Sequence, residues 1–235
     1  MSNASAESSN SNLPNGFVYL HEVDPSIIID MKYATNDNFI GDRIDGYLMP
    51  VAILTKEAAE ALRNVQKEVL TRGYSLVVYD AYRPSKAVQH FVRWSNTDDN
   101  RKKAEFYPYI EKSQIISSGY IALKSSHSRG STVDLSIISL NSTLKPIKLT
   151  KRALTDGTTI LYRDDGSMDM GSSFDLFDGM SYHDSKQNKP ELNDRRNFLK
   201  EIMIKHGFAS YRKEWWHYTL AKEPFVDQYF DFDVK

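Results

Sequence analysis

The chain of 235 residues carries 30 Lys and Arg against 31 Asp and Glu, so its net charge at pH 7 is −1. This balance argues against nucleic acid or a membrane surface as the main partner, and no apolar run approaches the roughly 18 residues that a membrane span needs. The length fits one domain with generous loops, and 11 Phe, 14 Tyr and 3 Trp can build a sizeable core. Because there is no cysteine, any metal must be held by His, Asp or Glu, and a thiol nucleophile is excluded.

The first 15 residues differ in composition from the rest, because nine of them are Ser or Asn. Such a segment cannot bury enough apolar surface to fold. We therefore predict a flexible leader over residues 1–15 and one folded domain over residues 16–235. A second interpretation is the start of a mature exported protein, for which Ala4-Ser5-Ala6 resembles a cleavage-site tripeptide.

The first part of the folded chain predicts strands mixed with helices. Thr55 can cap a helix in which apolar residues recur at helical spacing, and Gly73 follows its end. A short run of Leu, Val and Tyr comes next and predicts a buried strand, after which Arg83-Pro84-Ser85 leads into a second helix. The predicted elements are strands at 17–20, 27–29 and 76–79, and helices at 55–71 and from residue 85.

The second part predicts a strand, a long loop region, a helix and two final strands. Residues 141–192 are rich in Asp, Gly, Ser and Lys and predict loops, with a possible hairpin around Asp164-Asp165-Gly166. Helices and strands do not alternate strictly, so we predict an α+β domain with a mostly antiparallel central sheet flanked by helices. The predicted elements are strands at 133–140, 208–211 and 214–220, the last two paired, and a helix capped by Asn193 and ended by Gly207.

Two distant segments contain the residues with metal-binding chemistry. The segment from Ser125 to Asp134 contains His127, and a second segment, Glu214-Trp215-Trp216-His217-Tyr218, follows far downstream. His127, Asp134 and His217 supply three donors, the number that a catalytic zinc site uses when its fourth position is left to water. Glu214 lies three residues before His217, where it can act as the general base on that water.

The geometry of these segments makes two further predictions. His127 and Asp134 lie seven residues apart across Gly130, which allows a bend that brings both side chains to one point. Positions 214 and 217 of a regular strand face opposite sides, so either a bulge or a strand that begins after Glu214 is needed to aim both at one metal. Taken singly, the first pair is also compatible with an ordinary polar loop, and His217 with a hydrogen-bonded core histidine.

Several motifs of the chain, in the order in which they occur, resemble those of the VanX-type D-alanyl-D-alanine dipeptidases, which are zinc enzymes of the D-Ala-D-Ala metallopeptidase family. Thr132 stands where the pattern Ser-x-His-x-x-Gly-x-Ala-x-Asp has Ala, which is a packing position rather than a ligand. The resemblance implies the α+β fold of that family, which is Hedgehog-like, with one zinc ion per chain. The motifs that carry it are Asp30-Met31-Lys32-Tyr33-Ala34-Thr35, Tyr79-Asp80-Ala81-Tyr82-Arg83-Pro84, Ser125 to Asp134, Met170-Gly171-Ser172-Ser173-Phe174-Asp175, Glu214 to Tyr218, and Tyr229-Phe230-Asp231-Phe232.

The resemblance also implies roles for residues outside the ligand set. Arg83 would stabilise the oxyanion that forms on the scissile carbonyl, although a helix-terminal arginine paired with Asp80 is an alternative. Asp175 would hold the free amino group of the substrate, while Tyr33 and Ser125 would help to fix its termini. Each of these three is otherwise an ordinary turn aspartate, tyrosine or loop serine.

The function implied is zinc-dependent hydrolysis of the dipeptide D-Ala-D-Ala to two D-Ala. Two alternatives stay open: a zinc D,D-carboxypeptidase or endopeptidase that acts on longer cell-wall peptides, and a non-catalytic zinc-binding module of the same fold. The resemblance favours a cytoplasmic location, the leader allows an exported one, and the oligomeric state stays open. We expect the other histidines to be surface or helix positions without metal roles, namely His21, His90, His183 and His206.

Overall fold

The computed structural model describes residues 13–235, and the predicted leader up to residue 12 lies outside the described residues. Leu13, the first described residue, packs against the core. The structure has an α+β architecture, as predicted. Its elements are β1 (Phe17–Tyr19), α1 (Leu20–Val23), β2 (Ile28–Ile29), β3 (Ile53–Thr55), α2 (Lys56–Thr71), β4 (Tyr74–Asp80), α3 (Ser85–Ser95), α4 (Lys103–Phe106), β5 (Thr132–Ser139), β6 (Lys148–Ala153), β7 (Thr159–Asp164), α5 (Pro190–Lys205), β8 (Phe208–Tyr211) and β9 (Glu214–Leu220).

A five-stranded sheet with the order β2-β4-β5-β9-β8 forms the centre of the domain. Only the β2–β4 pair is parallel, and the other neighbours are antiparallel. The prediction of a mostly antiparallel sheet is therefore confirmed. Strands β4 and β5 are almost fully buried because they lie in the middle of this sheet.

Helix α2 forms as the sequence predicts. The hydroxyl of Thr55 accepts a hydrogen bond from the Ala58 amide at 3.3 Å, which satisfies one of the free N–H groups at the helix start. The helix buries one face, which includes Leu62, Val65 and Val69. Strand β3, which directly precedes α2, pairs with β1. This small sheet lies beside the loop that follows β4, since the amide of Tyr82 donates to the carbonyl oxygen of Ile53.

Beyond shifts of one or two residues at strand ends, the turn of the hairpin and the start of the last helix differ from the predictions. The hairpin in the long loop region is formed by β6 and β7 and turns at Asp156-Gly157, where Asp156 accepts from the Thr158 amide and hydroxyl. The predicted turn at Asp164 to Gly166 was wrong, because both places contain Asp-Gly but only the first joins two pairing strands. Helix α5 begins at Pro190 rather than after Asn193, since proline is well suited to the first helical position.

No helix among residues 13–235 is long and apolar enough to cross a membrane.

Candidate functional site

The predicted site residues line one cavity at the edge of the central sheet. Strands β5 and β9 supply its floor, the turn before β5 supplies one wall, and aromatic side chains supply another. Every residue that the sequence predicted for the site lines this cavity: Tyr33, Arg83, Ser125, His127, Asp134, Asp175, Glu214 and His217.

The register of the sheet places the acidic and imidazole side chains next to each other. Asp134 on β5 lies directly opposite His217 on β9 and, on its other side, opposite Asp80 at the end of β4. Side chains at paired positions of a sheet share one face. The three residues therefore form a row across three neighbouring strands.

His127 completes a triad with Asp134 and His217. The Nε2 atom of His127 lies 3.2 Å from Oδ2 of Asp134, and Nδ1 of His217 lies 3.1 Å from Oδ1. The two imidazole nitrogens are 3.3 Å apart. One donor atom from each residue lies within 4.8 Å of the others, which makes the triad a candidate metal centre.

The state of these donors fits a metal ion. Nδ1 of His127 donates to the carbonyl oxygen of Ala81 at 2.7 Å, which leaves Nε2 as the free lone pair. Oδ1 of Asp134 is buried and accepts no well-aligned hydrogen bond among the described residues, although Nδ1 of His217 lies 3.1 Å away. Although burial opposes it, the imidazoles of His127 and His217 lower the pKa of Asp134, and burial lowers the pKa of His217. These two shifts favour the forms that ligate a metal, an ionised carboxylate at Asp134 and a neutral imidazole at His217.

A tight turn before β5 presents His127 to the cavity. Ser125 starts the turn, and its hydroxyl accepts from the His127 amide at 3.3 Å. Gly130 ends it at φ 85°, and a Cβ on Gly130 would lie 2.2 Å from a ring carbon of Phe17. Both the backbone conformation and the close packing therefore require glycine here, which supports the predicted bend.

An irregularity in β9 brings Glu214 and His217 to the same cavity. Ser210 and Tyr211 are consecutive on β8, but their partners on β9 are Tyr218 and Glu214. The intervening residues of β9 bulge out of the regular pairing, so the usual alternation of faces is lost. Oε2 of Glu214 lies 3.5 Å from Nδ1 of His217.

Glu214 has the electrostatic surroundings of a proton-transfer group. Burial, followed by the negative charges of Asp134 and Asp175, raises the pKa of Glu214 well above its usual value. It forms no ion pair with a Lys or Arg among residues 13–235. A carboxylate of raised pKa can both take up and release a proton near neutral pH.

Arg83 is held at the cavity by a buried carboxylate. Its Nε and Nη2 atoms both lie 2.8 Å from Oδ2 of Asp80, and Nη2 lies 3.4 Å from Oδ2 of Asp134. Asp80 is fully buried and also accepts from the Tyr47 hydroxyl at 2.6 Å. The arginine packs over the ring of Phe91. Arg83 therefore both pairs with Asp80 and lines the cavity, because the ion pair holds its guanidinium there.

Asp175 is a buried carboxylate without a cationic partner among the described residues. Its φ of 60° is unusual for a residue other than glycine, and its side chain is only 5% exposed. Oδ2 accepts from the Tyr33 hydroxyl at 2.7 Å. Burial, followed by the charge of Asp134, raises the pKa of Asp175 well above its usual value. Such a group is poised to bind a cation that enters the cavity.

Asp80 and Tyr47 are site residues to which sequence reasoning gave no role of their own. Asp80 stands in one of the motifs, but its contacts with Arg83 and Tyr47 depend on the end of β4. His183 also differs from the prediction of a surface or helix position. It is buried, and neither of its ring nitrogens has a partner among the described residues.

Thr132, which departs from the motif, is accommodated by its partner strand. It is fully buried opposite Thr219, and the two hydroxyl oxygens lie 2.9 Å apart. The substitution therefore changes a packing contact and leaves the triad intact.

Comparison with known proteins agrees with this geometry. A family model described as D-ala-D-ala dipeptidase matches residues 14–151 and 148–235. The chain belongs to the D-Ala-D-Ala dipeptidase family. It is 41% identical over 224 residues to a D-alanyl-D-alanine dipeptidase of Enterococcus faecalis, which covers 94% of this chain and 100% of that protein.

Two further relatives have the same name and a similar extent. A D-alanyl-D-alanine dipeptidase of Enterococcus faecium is 38% identical, covering 94% of this chain and 98% of that protein. One of Streptomyces coelicolor is 39% identical, covering 93% and 98%. Membership of this family makes the chain a peptidase, and the family together with the triad indicates a metal ion.

Proposed function

We propose that residues 16–235 hydrolyse D-Ala-D-Ala to two D-Ala with one zinc ion held by His127, Asp134 and His217. The observation that carries the substrate class is Asp175, a buried carboxylate with no cation beside it, in the same cavity as the triad. A free amino group would supply the missing charge. The names of the relatives support D-Ala-D-Ala as the dipeptide.

The donor set supports zinc as the ion. Two imidazole nitrogens and one carboxylate oxygen are common zinc ligands, and three protein ligands leave a position open for chemistry. When bound, zinc supplies Lewis acidity, which lowers the pKa of water and polarises the substrate carbonyl.

In this proposal, Glu214 accepts the proton of the attacking water and returns it to the leaving amine. Its raised pKa suits both transfers, and its position beside His217 keeps it next to the metal centre without making it a ligand. Attack on the carbonyl carbon places negative charge on the carbonyl oxygen as the tetrahedral state forms. The guanidinium of Arg83 stabilises that charge, since Asp80 holds it at the cavity in advance.

Asp175 binds the substrate ammonium in this scheme, and the Tyr33 hydroxyl orients the carboxylate by its hydrogen bond. Ser125 assists from the turn that presents His127. Selectivity for a free amino group follows, because a peptide with a blocked terminus would leave Asp175 buried and unpaired.

The test is to measure hydrolysis of D-Ala-D-Ala, N-acetyl-D-Ala-D-Ala and a cell-wall pentapeptide by the zinc-supplied protein. We expect rapid cleavage of the free dipeptide alone. Preferential cleavage of the acetylated dipeptide or the pentapeptide would favour the carboxypeptidase or endopeptidase function. Binding of zinc without cleavage of any of the three would favour a non-catalytic module.

A further inference from the structure

The cations that line the site cavity differ in whether they already have a carboxylate partner. Three Lys or Arg side chains line it: Arg83, Lys124 and Arg129. Arg83 is paired with Asp80, as described above. Arg129 donates from Nε and Nη2 to the two oxygens of Glu223, at 2.9 and 2.7 Å. Each of these two guanidinium groups therefore already has a carboxylate partner within the protein.

Lys124 has no such commitment. Among residues 13–235 no carboxylate forms an ion pair with it and no hydrogen bond involves its ammonium group, which lies 5.4 Å from the centre of the Tyr229 ring. The residue is exposed and lies at the mouth of the cavity, immediately before Ser125. An aromatic ring beside an ammonium restricts where it points without neutralising it. Among residues 13–235, Lys124 is thus the lysine or arginine of the cavity that has no carboxylate partner.

The cavity therefore offers a small zwitterion one negatively charged and one positively charged group, which we call its negative and positive poles. Asp175, which is buried, is the negative pole, and Lys124, which is exposed, is the positive pole. A dipeptide that enters with its ammonium first places its carboxylate nearest the mouth. The candidate metal centre lines the same cavity, where the peptide bond between the two termini is to be cleaved.

We propose that Lys124 binds the C-terminal carboxylate of the substrate and selects substrates in which that group is free. This inference rests on the proposed function, because it concerns the same cavity and the same dipeptide. Lys124 acts on substrate binding rather than on the chemical step, since it contacts the terminus and not the scissile bond. Its loss should therefore raise KM and leave kcat nearly unchanged.

The experiment compares D-Ala-D-Ala with D-Ala-D-Ala amide, which has the same length and amino terminus but no terminal negative charge. We expect Lys124→Met to raise KM for the free acid roughly tenfold, the scale of one lost charge-assisted contact, with kcat within about twofold. KM for the amide should not change. Lys124→Arg should restore most of the preference for the free acid, and added salt should weaken it in the wild type because the group is exposed.

Lys56→Met is the matched control, since Lys56 is an exposed lysine at the start of α2 and does not line the cavity. It should retain the wild-type KM for both substrates. An unchanged preference for the acid over the amide in Lys124→Met would overturn the proposal, as would an equal loss for both substrates, which would indicate a structural role.

A binding measurement separates this proposal from the proposed function. Calorimetric titration of both dipeptides into zinc-loaded Glu214→Gln, with and without Lys124→Met, measures recognition of the carboxylate without turnover. Weaker binding of the acid alone in the double variant supports the role of Lys124 even if the wild type cleaves neither substrate. Equal binding of acid and amide to Glu214→Gln refutes it even if the wild type is an efficient dipeptidase.

Discussion

The hydroxyl of Tyr33 donates a 2.7 Å hydrogen bond to Oδ2 of Asp175, and both side chains are buried beside the candidate metal centre. The tyrosine supplies one hydrogen bond but no positive charge. Burial, followed by the negative charge of Asp134, therefore still raises the pKa of Asp175, although the hydrogen bond from Tyr33 opposes this. The pair has the form of a receptor for an ammonium group, with one member carrying charge and the other fixing its direction.

Replacing this carboxylate should remove the selectivity for a free amino terminus. We expect Asp175→Asn to lower kcat/KM for D-Ala-D-Ala by roughly 10²- to 10³-fold, the scale of losing one partner of a buried charge pair. The already slow hydrolysis of the acetylated dipeptide should change little. Steady-state kinetics on both substrates measures the effect, and equal hydrolysis of both by the wild type would contradict the role of Asp175.

Removing the proposed base should affect turnover and spare the metal. Glu214→Gln keeps the shape of the side chain but cannot accept the proton, so we expect kcat to fall about 10²- to 10⁴-fold. Zinc content should stay at one per chain because Glu214 is not a ligand in the triad. Glu201→Gln, at an exposed position of α5, is the control. A Glu214→Gln variant with more than half of the wild-type kcat would assign the base to another residue.

Removing one histidine of the triad should remove the metal. His217→Ala leaves two donors, so we expect zinc bound after dialysis to fall well below one per chain, as measured by elemental analysis. His206→Ala is the matched control, because His206 contacts Glu68 away from the cavity. Full retention of zinc by His217→Ala would exclude His217 from the ligand set.

Because of His183, the folded protein should become less stable as the pH falls. Burial lowers its pKa from 6.5 to about 3, so below pH 6.5 the unfolded chain takes up a proton that the folded chain does not. Stability contributed by the neutral ring is therefore present above pH 6.5 and is lost as pH falls towards 3. At pH 5 this amounts to about 2 kcal/mol.

The test is to compare urea unfolding of the wild type and His183→Phe at pH 7.5 and pH 5. The phenylalanine ring cannot be protonated, so the variant should lose about 2 kcal/mol less than the wild type between these pH values. His21→Phe, which removes an exposed imidazole, is the control. The same pH dependence in His183→Phe and the wild type would contradict this origin.

The sequence predicts the metal-binding and proton-transfer residues of the site better than the residues that hold them in place. His127 and Asp134 are recognisable by their spacing across Gly130, which marks the bend between them, and His217 by Glu214 three residues before it. The need for an irregularity before His217 also follows, since regular strand geometry would aim Glu214 to the opposite face, and the structure has a bulge there rather than a later strand start. These inferences depend on local spacing.

The features that could not be predicted depend on long-range contacts. The sequence offers the pairing of Asp80 with Arg83 but not the hydrogen bond from Tyr47 to Asp80, which joins positions far apart in the chain. The burial of His183 depends on packing that a polar neighbourhood in sequence does not indicate. The turn at Asp156-Gly157 was missed because the same dipeptide recurs at Asp165-Gly166, and only strand pairing distinguishes the two.

Asp134 on β5 and His217 on β9 occupy paired positions of neighbouring strands, and this pairing has a consequence for folding. Successive side chains of a strand point to opposite faces, so a slip of one residue between these strands would turn His217 away from the carboxylate. A metal ion at the triad therefore adds its binding free energy to a single register of the sheet. The ion therefore stabilises the correctly paired sheet, whereas a chain whose strands pair in the wrong register neither binds the ion nor gains this stability.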